Sequence, residues 1–225
     1  MVVKQYHHGD LKASLILAAN KILSRDGADA LSLRAIAAEV GVSHMAPYAH
    51  FKNKKQLIQS IAEAGFSQLA NTMEQVAQQL KAKKEITSGE LVLAYGASYL
   101  EFATSNPQLY RLMLGQVETL GRKSKKTLSS ESAGSTLVPL VEDSPFSGSS
   151  QKPFILLQEA FALEQCEDSP SCEKMDDNIK AKALGAWSMV HGMAALIIEG
   201  HIQVPEGVSF KHFLAAAIPF SNSNK

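Results

Sequence analysis

The sequence predicts an all-α protein, built as a three-helix helix-turn-helix module followed by a larger helical bundle. Three observations predict it. Apolar residues recur at helical spacing along most of the chain, without a sustained strand-like alternation. Two short amphipathic segments meet at Gly41-Val42-Ser43, a tight turn of the kind that joins such helices. Charge is also divided unevenly. Residues 1–60 hold eight Lys/Arg against four Asp/Glu, and the remainder holds fourteen against eighteen, so a +4 segment joins a −4 body in a chain of zero net charge.

The first helix is expected from Asp10 to Asp26. Asp10 serves as its N-cap, Leu15, Ala18, Ala19 and Ile22 form one stripe, and Gly27 stops it. Ser32 caps a second helix whose Leu33, Ile36, Ala37 and Val40 fall at i, i+3, i+4 and i+7, with Gly41 as its stop. A short third helix is expected over Ser43–Phe51. A long fourth follows the Asn53 cap through Leu57, Ile61, Phe66, Leu69 and Met73 and frays near Lys81–Lys84. Further helices are expected at Ser88–Thr104, Pro107–Thr119, Pro153–Gln165, Met175–His201 and Phe210–Ala217. The Ser-, Gly- and Lys-rich stretch Gly121–Gln151 reads as an irregular connection.

With 225 residues, 45% hydrophobic and 20% charged, the chain is long enough for one medium domain or two small ones with a buried core. Met1–His8 lacks the apolar run of a secretory signal. Ala183–Ile198 is about one turn short of a comfortable bilayer span and is interrupted by His191, so it reads as a buried helix. A cytoplasmic location without membrane attachment is expected. Cys166 and Cys172 read as free thiols of a reducing compartment, with a redox pair as the alternative. Neither a metal nor a cofactor is expected.

The helix-turn-helix segment carries the functional expectation. Ala37, four residues before Gly41, lets the two helices approach, and Gly41 tolerates the backbone of the turn. At 100° per residue Pro47 and Phe51 share the core side of the third helix. Met45 and Ala49 then point away, Ala46 and Tyr48 flank them, and His44 and His50 lie nearer the core edge. Small or apolar outward residues suit close approach to base edges and thymine methyl groups. Tyr48, His50 and Lys54 reach phosphates, which set register without reading sequence. Arg34 reaches a guanine edge or a phosphate.

From Gly9 to Phe66 the chain resembles the DNA-binding domain of the TetR family of regulators. The shared pattern is Leu33-Arg34-Ala35-Ile36-Ala37, Gly41-Val42-Ser43, Pro47-Tyr48-Ala49-His50-Phe51, Lys52-Asn53-Lys54 and Leu57. This resemblance covers about a quarter of the chain. It implies a homodimer that binds double-stranded operator DNA through residues 1–55, with the long fourth helix leading into a ligand-binding and dimerisation domain over 56–225. It also implies that His44, Met45, Ala46, Tyr48, Ala49, His50 and Lys54 face DNA, with Ser32 and Arg34 supporting from the second helix. Ala46-Pro47 stands where the family usually has Thr or Ser with Leu before the Tyr, as in a subgroup carrying Ser-His-x-Ala-Pro-Tyr. A hydroxyl contact to phosphate is thereby lost.

Trp187-Ser188-Met189-Val190-His191-Gly192 is similar to the Trp-x-x-x-His-Gly signature of one class of C-terminal domains in that family. Trp187 and His191 share a helix face, and Gly192 permits close packing of another helix. A dimer seam is favoured there over a ligand site, and His191 is expected to have a hydrogen-bond partner. For the effector cavity, Tyr95, Tyr99, Met113 and Phe161 are the expected lining. No Arg or Lys cluster lies inside these helices, which disfavours a highly anionic effector. The expected function is a transcriptional regulator, a repressor released from its operator by a small molecule. The alternatives are an activator of the same fold and a helical protein-interaction module. An enzyme is not expected, because His191, Cys166 and Glu164 lack a convergent base–nucleophile arrangement.

Overall fold

The computed structural model describes residues 11–82, 85–121, 148–163 and 172–217. Among these residues all regular structure is helical, as expected from the sequence. Eight α-helices are present: α1 Leu11–Asp26, α2 Leu33–Val40, α3 Lys54–Lys81, α4 Ser88–Ser105, α5 Pro107–Gly121, α6 Lys152–Ala162, α7 Cys172–Ile198 and α8 Phe210–Ala217. Three short 3-10 turns supplement them, at Ala28–Ala30, Ala46–Ala49 and Gly148–Gln151. The Asp10 cap, most of the expected 121–151 connection, and Glu164 and Cys166 lie outside the described residues.

The chain divides into two compact units. The first comprises residues up to Gly65 together with Asn106–Thr119; the second comprises Phe66–Ser105 and the residues from Leu120 onward. In the first unit α1 packs on α2, and α2 packs on the Ala46–Ala49 turn. Leu15, Ala19, Ile22, Ile36, Ala37, Phe51, Leu57 and Ile61 are buried at its core. Each large apolar side chain so buried contributes roughly 1.5–3 kcal/mol. In the second unit α4 is central and packs against α6, α7 and α8, with α6 also against α7. Thr87 opens α4 with a reciprocal cap: its hydroxyl accepts from Glu90 N (3.2 Å), while the Glu90 carboxylate accepts from Thr87 N (3.4 Å).

Two boundaries depart from the sequence reading. The expected third helix over Ser43–Phe51 is a 3-10 turn over only Ala46–Ala49. Pro47 supplies no N–H, and the neighbouring amides bond three residues back: Ala46 N to Ser43 O (2.9 Å), Tyr48 N to Met45 O (3.1 Å) and His50 N to Pro47 O (3.0 Å). Helix α7 ends at Ile198, short of His201. Gly200 takes φ 77°, and the His201 N–H turns back to Leu196 O (2.8 Å), which satisfies a terminal carbonyl.

The apolar stretch Ala183–Ile198 is not the buried helix expected. Asp177–Ile198 is long and apolar enough to cross a membrane by length and composition, and only 22% of that window is buried. Ala183, Trp187, Val190 and Ala194 form the buried stripe, spaced for a single helix face. Leu184 (36% exposed) and Leu196 (41%) lie outside it, where none of the described residues covers them.

Candidate DNA-binding surface and effector cavity

The helix-turn-helix is positioned by its caps. Ser32 Oγ accepts from Ala35 N (3.0 Å) at the start of α2. Leu33, Ile36 and Ala37 turn inward, which leaves Arg34, Ala38 and Glu39 exposed. Gly41 ends α2 in the left-handed region (φ 80°, ψ 31°). Both Gly41 N and Val42 N donate to Ala37 O at 2.9 Å, so the chain reverses within one residue of the helix end.

The next residues form the outward face. Pro47 and Phe51 are buried, and they anchor the turn on the core. Met45 is 71% exposed and Tyr48 47%. His44 and Ala49 are exposed; Ala46 and His50 are half-buried. Met45 and Ala49 therefore point outward as helical spacing predicts, but His44, expected nearer the core edge, is exposed because the 3-10 turn begins only at Ala46. The half-buried Ser32 and the exposed Arg34 belong to the adjoining α2.

Asn53 then opens α3. Its side chain accepts from Gln56 N (2.9 Å), and Gln56 Oε1 accepts from Lys52 N (2.7 Å). This cap fixes the chain where Lys52, Lys54 and Lys55 are exposed in succession. Arg25 is committed elsewhere, to Asp26 at 2.8 Å and Glu39 at 3.7 Å. Among the described residues, Arg34, Lys52, Lys54 and Lys55 are exposed cations near the turn.

A separate feature lies in the second unit. Tyr95 and Tyr99 of α4, Leu157 of α6, Trp187 and Val190 of α7, and Leu214 of α8 line a cavity of about 40 Å³. The Tyr99 hydroxyl is hydrogen-bonded to His191 Nδ1. Trp187 meets Tyr99 edge-on with centroids 5.2 Å apart and Phe154 edge-on at 6.0 Å, and it stacks on His191 at 6.0 Å. Burial lowers the His191 pKa and favours its neutral form. Burial also raises the Tyr95 pKa, with the charges of Glu159 and Glu74 adding to the effect.

Of the four effector residues expected from the sequence, the structure brings Tyr95 and Tyr99 together. Met113 belongs to the first unit, where its Sδ would stand 2.6 Å from a Cβ placed on Gly65. Phe161 is half-buried on α6 and is not part of the cavity wall. Trp187 lies on the wall, although a dimer seam was the favoured expectation. Its spacing from His191 and the Tyr95/Tyr99 spacing carried that signal, since each pair shares one helix face. Gly192 is exposed, with nothing within 4 Å of a Cβ placed there, so no described helix of this chain packs against it. Leu157 and Leu214 were missed, and nothing in their local sequence sets them apart from ordinary core.

Residues 15–61 match the family model for bacterial regulatory proteins of the tetR family. Residues 92–217, more than half of the chain, match the model for the tetracyclin repressor-like C-terminal domain. The chain belongs to the TetR family. Among solved structures, the TetR-family chain is similar to a protein of unknown function from Rhodococcus sp. RHA1, with 26% identity and a TM-score of 0.66, covering 96% of this chain and 95% of that one. It shares its fold with the transcriptional regulator FadR from Bacillus subtilis, solved in complex with stearoyl-CoA (12% identity, TM-score 0.55, 91% and 94% covered). It shares it also with the TetR family regulator PfmR from Thermus thermophilus (15% identity, TM-score 0.52, 90% and 93% covered). No curated protein matches the sequence. As a TetR-family member, the protein is a DNA-binding transcriptional regulator with a ligand-binding C-terminal domain.

Proposed function

We propose that the protein is a cytoplasmic, homodimeric repressor that leaves its operator when an effector enters the cavity beside Trp187. The observation that carries the DNA half of this reading is the outward set His44, Met45, Tyr48 and Ala49, held on a capped scaffold beside exposed Arg34, Lys52, Lys54 and Lys55. Met45 and Ala49 meet base edges in the major groove, where apolar groups favour thymine methyls. His44, Tyr48, His50 and Lys54 reach phosphates, and Arg34 reaches a guanine edge or a phosphate from α2. Ser32 supports Arg34 by capping α2, and Ala46 offers only a methyl group. The DNA-binding domain extends to about residue 55 and the ligand-binding body over 56–225.

The dimer seam is assigned to the uncovered faces of α6 and α7. Ile155, Leu163, Leu184 and Leu196 are exposed there. Gly185, Ser188 and Gly192 are small exposed residues of α7 that permit a close helix approach. A two-fold dimer presents its recognition turns to successive major grooves, with half-site centres roughly 34–36 Å apart or somewhat wider. The unbroken helix α3 links the DNA-binding domain to the body and transmits the effector's signal. A coupling of about 1–3 kcal/mol weakens DNA binding some 5- to 150-fold. The Trp-x-x-x-His-Gly subgroup is part of this proposal and rests on Trp187, His191 and Gly192. No catalysis is assigned to the protein, and the His191 imidazole is already engaged by Tyr99.

The direct test is a mobility shift of random duplex DNA by the purified dimer at low salt. Retention that falls steeply as salt rises is expected, since phosphate contacts release counterions. Indifference to every duplex at low salt would overturn the reading and favour a protein-interaction module.

A further inference from the structure

The wall of the cavity specifies the chemistry of its occupant. Among the side chains that line it, only the Tyr95 and Tyr99 hydroxyls and the Trp187 indole N–H can hydrogen-bond strongly. The Tyr99 hydroxyl is already engaged by His191. No Lys, Arg, Asp or Glu lines the cavity among the described residues. An anion placed here gains no cationic partner, and the carboxylates of Glu74 and Glu159 lie close enough to act on Tyr95. A cation gains aromatic faces but no carboxylate in the wall, because Glu74 pairs with Lys152 at 2.9 Å and Glu159 is exposed. Burying either charge unpaired is strongly unfavourable.

The size of the cavity says that a ring-sized occupant must move part of its wall. About 40 Å³ holds a few water molecules but not a ring. Leu214 is the buried residue of the short helix α8, and most of that helix is otherwise exposed or half-buried. Its Cδ1 would stand 3.0 Å from a Cβ on Gly96, so the absence of a side chain at Gly96 is what lets Leu214 seat on α4. Leu214 belongs to the cavity wall, so moving this one side chain enlarges the cavity.

We propose that the cavity takes an uncharged, largely apolar ring compound with at most two hydrogen-bonding groups, and that it does so by displacing Leu214 from its seat on Gly96. This rests on the reading that the cavity is the effector site, and it adds the class of effector and the side chain that yields to it.

Trp187 is the single tryptophan of the chain and lies on the cavity wall, so its emission reports occupancy directly. The full-length protein is titrated with cyclohexanol, cyclohexanecarboxylate and cyclohexylammonium at about pH 7.5, three probes with one ring and different charge. Cyclohexanol is expected to change Trp187 emission saturably, and each charged probe to bind at least about tenfold more weakly. Leu214→Ala is expected to tighten cyclohexanol binding at least about threefold, because it leaves apolar space for the ring. Leu214→Val, with a smaller effect in the same direction, serves if the alanine variant is unfolded by circular dichroism. Equal or tighter binding of a charged probe, no emission change with any probe, or no tightening in either folded variant overturns the proposal. Operator retention by the ligand-free samples is measured in parallel. Retention without an emission response refutes this inference alone, and an emission response without retention refutes the regulator reading alone.

Discussion

Replacing Gly41 with alanine tests the turn on which the DNA-binding surface depends. Gly41 holds φ 80° and ψ 31°, and nothing lies within 4 Å of a Cβ placed there. The penalty is therefore conformational rather than steric. A left-handed backbone costs a residue with a Cβ about 1–2 kcal/mol. The smaller conformational freedom of unfolded alanine returns about 0.4–1 kcal/mol. The hydrogen bonds from Gly41 N and Val42 N to Ala37 O survive in either case. A net loss of about 0–1.6 kcal/mol, centred near 0.8, follows. For a chain of this size the central value lowers Tm by roughly 2–3 °C. Gly41→Asn should lose less, because asparagine tolerates the left-handed region. Urea unfolding followed by circular dichroism measures both variants, and Trp187 emission reports the second unit separately. Alanine as stable as glycine, or asparagine worse than alanine, would refute the reasoning.

Three further outcomes are expected. Arg34→Ala should weaken operator binding by about 1–3 kcal/mol and more than Met45→Ala in matched-salt titrations; the reverse order would mean that the recognition turn is rotated on the DNA. His191 has its folded pKa lowered by burial, so the unfolded chain takes up this proton first as pH falls below the ordinary value of 6.5. Its contribution to stability is present above that value and is lost on descent toward the folded pKa; His191→Gln should flatten the slope of urea midpoints between about pH 7.5 and 5.5, and an unchanged slope would count against a neutral buried imidazole. Leu184→Glu should shift the protein toward monomer in sedimentation velocity, whereas an undisturbed dimer would remove α7 from the seam.

Much of the helix-turn-helix was legible because its signals are local. Ser32 and Gly41 bound α2 as cap and stop. Pro47 and Phe51 sit at the spacing that sends Met45 and Ala49 outward. Pro47 equally announced a missing N–H, yet only the hydrogen-bond pattern reveals that the segment tightens into a 3-10 turn. Gly200 likewise marks the turn after α7, which ends at Ile198 rather than at His201.

The cavity was only half legible. Tyr95 and Tyr99 share a face through their spacing on one helix, and Trp187 and His191 do so on another. That these faces meet, and that Leu214 of α8 closes on Gly96, depends on chain folding over long sequence separations that periodicity does not encode. Met113 was an apolar residue of the right kind in a helix that serves the other unit. For α7, apolar composition indicated burial, but a single chain covers only its Ala183–Trp187–Val190–Ala194 stripe.

The account stands on the recognition turn reading duplex DNA, and sequencing the genomic fragments that the purified protein retains at near-physiological salt tests this most directly. It predicts enrichment of one near-palindromic site with half-sites about one helical turn apart or slightly more, lost in an Arg34→Ala, Lys54→Ala variant. Fragments no different from the input pool, or the same fragments retained by that variant, would contradict it.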